Sequence, residues 1–434
     1  MISKIKKLQL SNEALKYFHN TSWMFLDKAL KMAVGFFVIV YLTRYLGPDR
    51  FGMLSYAESV VSIFLALSTL GLANGGPLVR ELVNSPVKRD MLLGTVFYLT
   101  LFSSIITISI ILGVVNFLPD GQVNILILII SFSIIFQNIN MIIIDYFQYK
   151  VLFKYVAYCG TTVFFTSSAL KITLIYFNME LVFFAYALLF DSAFLLVGLA
   201  YIYKKQGLSF IQWEFNLVAA KLFLKVAIPL TLVAISAFVY TRIDQIMIKH
   251  MLGNEAVGNY AAAIKVSELF YFIPGIIVTS LFPKLVALKK DKGDYLGLLE
   301  KMYRLTMWIA IPIAISIFLF SDLIASILYG GQYTQASGIL AILSWGLIFA
   351  SVSAVFVKIL YVESYEKKYL FKNLFGVVMN IVLNYYLILM YGVYGAAIAT
   401  IVTLFSVNYI YDLLDKDLRR FYYLKINALN PFKL

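Results

Sequence analysis

The sequence predicts an all-α membrane protein: 12 transmembrane helices in two six-helix lobes related by a pseudo-two-fold axis along the membrane normal. Three observations predict it. Twelve apolar stretches of roughly bilayer length fill nearly the whole chain. Lysine and arginine alternate from one connection to the next. The sequence also repeats itself, Gly253 answering Gly47.

The first observation rests on composition and length. Of 434 residues, 62% are hydrophobic and 14% charged, with a mean hydropathy of +0.86, well outside the range of soluble domains. The apolar spans fall at 20–42, 51–74, 91–117, 123–144, 157–177, 180–203, 222–249, 257–283, 304–321, 335–361, 370–391 and 393–412. Each is near the ~20 residues that cross ~30 Å of hydrocarbon. No stretch is left for a separate soluble domain.

The second observation explains a formal charge of +13. One set of connections is basic: the N-terminus (Lys4, Lys6, Lys7, Lys16), 75–90 (Arg80, Lys88, Arg89), 145–156 (Lys150, Lys154) and 204–221 (Lys204, Lys205, Lys221). The series continues through 284–303, 362–369 (Lys367, Lys368) and the tail at 413–434 (Lys416, Arg419, Arg420, Lys425, Lys433). The alternate connections are nearly bare of Lys and Arg. Positive charge on one side places both termini in the cytoplasm of an inner-membrane-type protein, and no nucleic acid is needed to explain it. The basic N-terminus reads as a lead-in to an uncleaved first helix. A lone Cys159 excludes an internal disulfide, and only two histidines, His19 and His250, argue against a metal or redox site. No cofactor is expected.

The third observation is an ungapped series. Leu46-Gly47, Gly52, Ala57, Val60, Phe64 and Pro77 match Leu252-Gly253, Gly258, Ala263, Val266, Phe270 and Pro283. Each copy holds an even number of helices, so both face the membrane the same way. The expected division is an N-terminal lobe at 1–203, a lobe linker at 204–221, a C-terminal lobe at 222–412 and a basic cytoplasmic tail at 413–434. Gly47 and Gly253 are expected to end their helices with left-handed caps, and Gly52 and Gly258 to permit close backbone approach. Pro77 and Pro283 are expected to close helices at the cytoplasmic face. Pro229 and Pro312 are expected kinks, and Pro274-Gly275 an expected kink that could serve as a gating hinge.

Charges inside these spans are the functional signal, because a lysine or arginine at mid-bilayer costs about 2.5–3.5 kcal/mol on insertion scales. The first helix carries Asp27, Lys28 and Lys31, with Asp27 placed to pair with Lys31 at i,i+4. Arg242 and Asp244 lie on the seventh helix, Lys265 and Glu268 on the eighth, Glu58 on the second, Lys171 on the fifth and Asp191 on the sixth. Structural pairing, such as Lys265 with Glu58 or Glu268, would neutralise them. The crowding of Lys28, Lys31 and Arg242 on the first and seventh helices favours a hydrated, cationic cavity between the lobes, suited to a phosphorylated cargo.

A resemblance adds to this reading. Tyr41-Leu42-Thr43-Arg44-Tyr45-Leu46-Gly47-Pro48-Asp49-Arg50-Phe51-Gly52 resembles the first-loop signature of polysaccharide-unit flippases. So do Asn74-Gly75-Gly76-Pro77, Arg242-Ile243-Asp244-Gln245-Ile246-Met247-Ile248 and Tyr329-Gly330-Gly331-Gln332-Tyr333-Thr334-Gln335-Ala336. These are the Wzx-type transporters of O-antigen and capsule repeat units, in the multidrug/oligosaccharidyl-lipid/polysaccharide exporter superfamily. The resemblance implies translocation, by alternating access, of an undecaprenyl-pyrophosphate-linked glycan to the outer leaflet of the bacterial inner membrane. It assigns substrate binding to Lys28, Lys31, Arg242 and Lys265; from its place inside a span Lys171 is a further binding candidate, and Asp27, Glu58, Asp191, Asp244 and Glu268 are candidates for coupling or structural ion pairs. It also implies a monomeric transport unit associated with polysaccharide polymerase machinery. Proton or sodium coupling through Asp191, Glu58 or Asp244 is open. The rivals are a multidrug or cation exporter of the same superfamily, which needs an acidic cavity, and a membrane enzyme of polysaccharide assembly. The enzyme would need a large outer loop or a clustered carboxylate pair, and the sequence offers neither.

Overall fold

The computed structural model describes residues 12–72, 76–291, 293–363 and 365–430, with the side chains of 12–31, Ala33, Pro86, Tyr361 and Glu366 outside that description. Every regular element among these residues is helical. The order is α1 (Asn12–Ser68), α2 (Pro77–Asn84), α3 (Arg89–Val115), α4 (Gly121–Ser131), α5 (Ser133–Tyr149), α6 (Phe153–Tyr176), α7 (Leu181–Lys205), α8 (Leu217–Leu252) and α9 (Asn254–Leu269). There follow α10 (Phe272–Lys290), α11 (Tyr295–Leu319), α12 (Ser321–Tyr329), α13 (Ala336–Ser344), α14 (Gly346–Glu363), α15 (Glu366–Tyr391), α16 (Val393–Phe405), α17 (Tyr411–Leu414) and α18 (Arg419–Ala428). A π-helical turn, Ser406–Ile410, joins α16 to α17.

Nine helical stretches among the described residues are long and apolar enough to cross a membrane, and a tenth if the α13–α14 pair, bent by 43°, is one span. The stretch Val34–Ser68 counts once there, although Gly47 divides α1. α6 adds 24 residues, about 36 Å of helix. With these two features the helices are consistent with the spans expected from hydropathy. Helix middles present Phe102, Val197, Ile228 and Val378 on the outer surface, as suits a protein solvated by acyl chains.

Several helix ends differ from expectation. The helix before Gly71 stops at Ser68, where Leu70 and Gly71 take positive φ. Pro77 therefore opens α2 at its first turn, where its missing N–H costs nothing, instead of closing a helix. Pro283 sits within α10. Pro229 and Pro312 lie inside α8 and α11, each a single helix. Pro274 does mark a break, displaced toward the N-terminus: α9 ends at Leu269 and α10 begins at Phe272. Proline removes the bond to the carbonyl four residues back, here Phe270. The segment 322–334, expected as a loop, is mostly helical in α12. The tail is a packed helix as well, since Phe421, Lys425 and Ala428 of α18 are fully buried.

Contacts divide the chain into two units, 1–42 with 64–231 and 43–63 with 232–434. The repeat boundaries and the contact boundaries are different quantities, so 43–63 belongs by sequence to the first copy and by contact to the second unit. In the first unit, Leu93, Phe147, Leu199 and Phe223 form the core. The connection after α7 packs against it: Tyr203 stacks on Phe210 at 4.8 Å and accepts a 3.0 Å hydrogen bond from Trp213 Nε1. Gly94 permits this, because a Cβ there would strike the Glu214 backbone.

In the second unit, Leu299, Met307, Val352 and Phe356 form the core. Its distinctive contact joins the two repeated turns. A Cβ on Gly52 would collide with the Asn254 carbonyl, and one on Gly258 with the Pro48 carbonyl. Pro48 and Asn254 hold equivalent places in the repeat, as do Gly52 and Gly258, so the contact is reciprocal. Gly47 (φ 70, ψ 171) and Gly253 (φ 91, ψ −175) take the same glycine-only conformation, more extended than the left-handed cap expected. Alongside, Arg44 Nε donates to Leu328 O at 2.6 Å and Tyr333 Oη to Thr43 O at 2.7 Å, so two of the signature runs meet.

Gly52→Ala and Gly258→Ala should each lower stability by at least ~1–3 kcal/mol, since backbone atoms cannot yield as a side chain would. Gly113→Ala, with no atom near its Cβ position, should leave the melting temperature unchanged or slightly raised. Thermal unfolding of detergent-solubilised variants measures the contrast.

Candidate functional site

The most concentrated polar chemistry lies inside the second unit, where four helices converge on Asp244 of α8. The carboxylate is buried. Its Oδ2 accepts from Tyr260 Oη of α9 and Thr400 Oγ1 of α16, both at 2.7 Å, and its Oδ1 accepts from Asn384 Nδ2 of α15 at 2.7 Å. Asn384 Nδ2 also donates to Asn380 Oδ1 at 2.9 Å, the i,i+4 spacing putting both amides on one face of α15. A cavity of about 110 Å³ borders the cluster, lined by Tyr240, Thr241, Glu268, Tyr271, Asn380 and Thr400 among others. That is room for several waters.

Counting protons shows what the cluster can do. Tyr260 and Thr400 also touch each other at 2.9 Å, and Thr400 lies 3.0 Å from Ala396 O. Two hydroxyl protons cannot serve all of these contacts. With Asp244 ionised, both hydroxyls point at it. With Asp244 protonated, its own O–H donates to Tyr260, Tyr260 to Thr400, and Thr400 to Ala396 O. Hydroxyl rotation alone connects the two arrangements, so the site can hold or release a proton without moving a helix. Among the described residues no group of three or more His, Cys, Asp or Glu side chains is placed to bind a metal.

The other sequence-derived residues divide by environment. The side chains of Asp27, Lys28 and Lys31 lie outside the described residues. Lys171 and Asp191 form an ion pair at 2.8 Å between α6 and α7, so Lys171 is held by a carboxylate. Arg242, Lys265 and Glu58 are half-buried and Glu268 is more exposed; among the described residues none of the four has an ion-pair partner. The pairing of Lys265 with Glu58 or Glu268, the alternative to a cationic cavity, is not formed among the described residues. Arg242 precedes Asp244 by two positions, about 200° around α8, and faces away from that carboxylate. Glu268 and Asp244 line the same cavity. Pro274 is buried and Gly275 has open space at its Cβ position.

Sequence reasoning missed the partners of Asp244, since Tyr260, Asn380, Asn384 and Thr400 are uncharged. It also missed a set of ionic contacts at the end of this unit. Asp412 of α17 meets Lys372 of α15 at 2.7 Å and Lys425 of α18, all three buried. Glu363 binds Lys289 at 2.7 Å and Arg420 at 3.1 Å, and Lys368 binds Asp415 and Asp417. Trp308 Nε1 donates to Ala428 O at 3.3 Å. The legible signal was the four-residue spacing of Lys372, Gly376, Asn380 and Asn384 along α15.

Although burial alone would raise the Glu363 carboxyl, the Lys289 hydrogen bond and the Arg420 charge hold it below the usual range. A depressed carboxylate contributes stability above its ordinary value of 4.5, lost as pH falls through the folded one. Acidification below pH 4.5 should therefore loosen α18. In a variant retaining only Trp308 among the tryptophans, indole emission should shift on that acid limb, and Glu363→Gln should remove much of the pH dependence.

Comparison with known proteins places these features. A sequence profile of a family described as polysaccharide biosynthesis protein matches residues 41–338. A capsular polysaccharide biosynthesis protein of Staphylococcus aureus is 24% identical over 408 residues, 90% of this chain and 98% of that one. A probable low-salt glycan biosynthesis flippase of Haloferax volcanii is 28% identical over 177 residues, 40% of this chain and 37% of that protein's length. Among solved structures, a lipid II flippase in an inward closed conformation aligns with TM-score 0.70 at 18% identity, covering 93% of this chain and 90% of that one. An inward-facing multidrug resistance transporter aligns with TM-score 0.65 at 14% identity, covering 92% and 94%. At such identities the structural likeness establishes the fold.

Proposed function

We propose that this chain, which belongs to the polysaccharide biosynthesis protein family, is a multi-pass membrane flippase for a lipid-linked glycan. Its cargo is an undecaprenyl-pyrophosphate-linked oligosaccharide repeat unit. Transport runs from the cytoplasmic to the outer leaflet of the bacterial inner membrane, with both chain termini cytoplasmic. The chain performs no bond chemistry on its cargo.

The observation that carries this reading is that Arg242 and Lys265, both within membrane-spanning helices, lack ion-pair partners among the described residues. Unpaired cations there are costly unless water and an anion reach them. A pyrophosphate supplies strong acceptors for both, and Lys28 and Lys31 would add two more donors from α1. Lys171, already bound to Asp191, serves better to fix α6 against α7 than to grip cargo. The drug-exporter alternative draws on the shared fold and on the acidic lining that Asp244 and Glu268 give the cavity.

The headgroup cannot cross hydrocarbon unaided, because an uncompensated charge costs far more there than thermal energy supplies. Alternating access, bending where Pro274 breaks the helix, would carry it. An inside-negative potential favours outward passage of an anion by about 2.3 kcal/mol per charge per 100 mV, but basic side chains that travel with the head cancel that drive. Proton binding at Asp244 then supplies the coupling, since its hydrogen-bond cluster accommodates both protonation states.

Lys31→Ala and Arg242→Ala should each reduce surface polysaccharide about tenfold or more, the scale of one lost charge-assisted hydrogen bond, with protein level intact. Quantitative immunodetection of polymer and protein measures both. Full activity in both variants would remove the cationic-recognition argument.

A further inference from the structure

The buried groups Lys372, Asp412 and Lys425 have no part in the reading above, yet they lie on the helices that build the Asp244 cluster. On α15, Lys372, Gly376, Asn380 and Asn384 recur every fourth residue. They therefore share one face over about 18 Å of helix. Lys372, Asn380 and Asn384 are each no more than 2% exposed. Asn384 and Asn380 lead from Asp244 to the cavity, and Gly376 follows one turn on. The missing side chain at Gly376 leaves room for Val407 Cγ2, 2.9 Å from where a Cβ would stand, and for the Tyr240 ring, whose carbons lie 3.2–3.3 Å from it. Tyr240 lines the same cavity as Asp244, and its buried hydroxyl has no hydrogen-bond partner among the described residues. One further turn of α15 reaches Lys372, bonded to Asp412, which in turn binds Lys425.

The far end of this row has its own local cause. The π-helical turn Ser406–Ile410 disturbs the regular ladder, and the Asn408 carbonyl takes the Lys425 ammonium at 2.6 Å. The groups around that ammonium are Lys372 from α15, Asp412 from α17, Tyr303 from α11 and Tyr409 from the π turn, while α14 offers Phe356. Two lysines thus share one carboxylate in a fully buried setting. Such a group keeps its charge reluctantly.

We propose that this row is a proton path joining Asp244 to the cytoplasmic end of the protein, with Tyr240 as its central relay and Lys425 as its terminal one. The proposal rests on the reading of Asp244 as the coupling site. A proton leaving the Asp244 carboxyl passes through cavity water to the Tyr240 hydroxyl, which releases its own proton onward. A transient water between Tyr240 and the lysine pair delivers that proton to a neutral Lys425 amine, forming the ammonium. The ammonium then yields it to cytoplasmic water as α18 lifts. Asn380 and Asn384 hold the water in line without titrating. Burial and the adjacent Lys372 charge depress Lys425 to about 7, where an amine exchanges protons readily near neutrality.

The test is proton flux in proteoliposomes holding the full chain, driven by an imposed pH gradient and read with a trapped pH-sensitive dye. Tyr240→Phe deletes only an oxygen without a partner, so its folding should be preserved. Lys425→Arg keeps the charge on Asp412 but cannot give up its proton. Each should slow flux at neutral pH by at least about tenfold at parental melting temperature, and Asp244→Asn should stop it. A purely structural Lys425 would be rescued by arginine. Unchanged flux in Tyr240→Phe and Lys425→Arg, with Asp244→Asn inactive, overturns the path and leaves the Asp244 reading standing. Unchanged flux in Asp244→Asn overturns both. Dependence on a sodium gradient in place of a pH gradient overturns the path and makes Asp244 a sodium site. If Lys425→Arg misfolds, Tyr240→Phe alone decides.

Discussion

Hydrocarbon offers no hydrogen bonds, and the rest of this structure follows from that. Backbone groups must bond within their own segment, which makes each crossing a helix. Polar side chains must find one another, and they gather at a few points. Asn138 donates to Ser68 and Ser104 in the first unit, and four helices close on Asp244 in the second. Glycine or proline marks the Gly47 and Gly253 turns and the Phe270 break. The π turn before Asp412 has neither, and there the Asn408 carbonyl is bonded by Lys425.

The same exclusion governs charge. Asp412 with two lysines, Glu363 with Lys289 and Arg420, and Lys171 with Asp191 are compensated sets, and they hold helices together. Among the described residues Arg242 and Lys265 have no such ion-pair partner. The contrast separates charges held in ion pairs from charges that are not. Lys171, a binding candidate in the sequence, is among the paired ones.

Much of this was legible in the chain itself. Hydropathy located the helices because hydrocarbon thickness fixes their length, and the repeat located the paired glycine turns because only glycine fits where two backbones touch. The Asp244 cluster was half visible. A buried acid stands out in an apolar helix, but Tyr260, Asn380, Asn384 and Thr400 do not, since uncharged polar residues are common in membrane helices. The tail misled for a different reason. Its lysines and arginines read as solvated topology charges, and nothing local distinguishes Lys425 from Lys416 until Asp412 and the Asn408 carbonyl are brought to it by tertiary packing. Proline positions were legible, but not whether each would break a helix or be absorbed by its neighbours.

The turn-to-turn contact at Gly52 and Gly258 has the form of an isologous interface, in which each side presents the same patch to the other. Because the two sides are different stretches of one chain, each can differ from the other wherever backbone contact does not forbid it. Arg50 against Ala256 and Arg44 against His250 show that divergence, while Gly47 with Gly253 and Gly52 with Gly258 show where symmetry could not be relaxed.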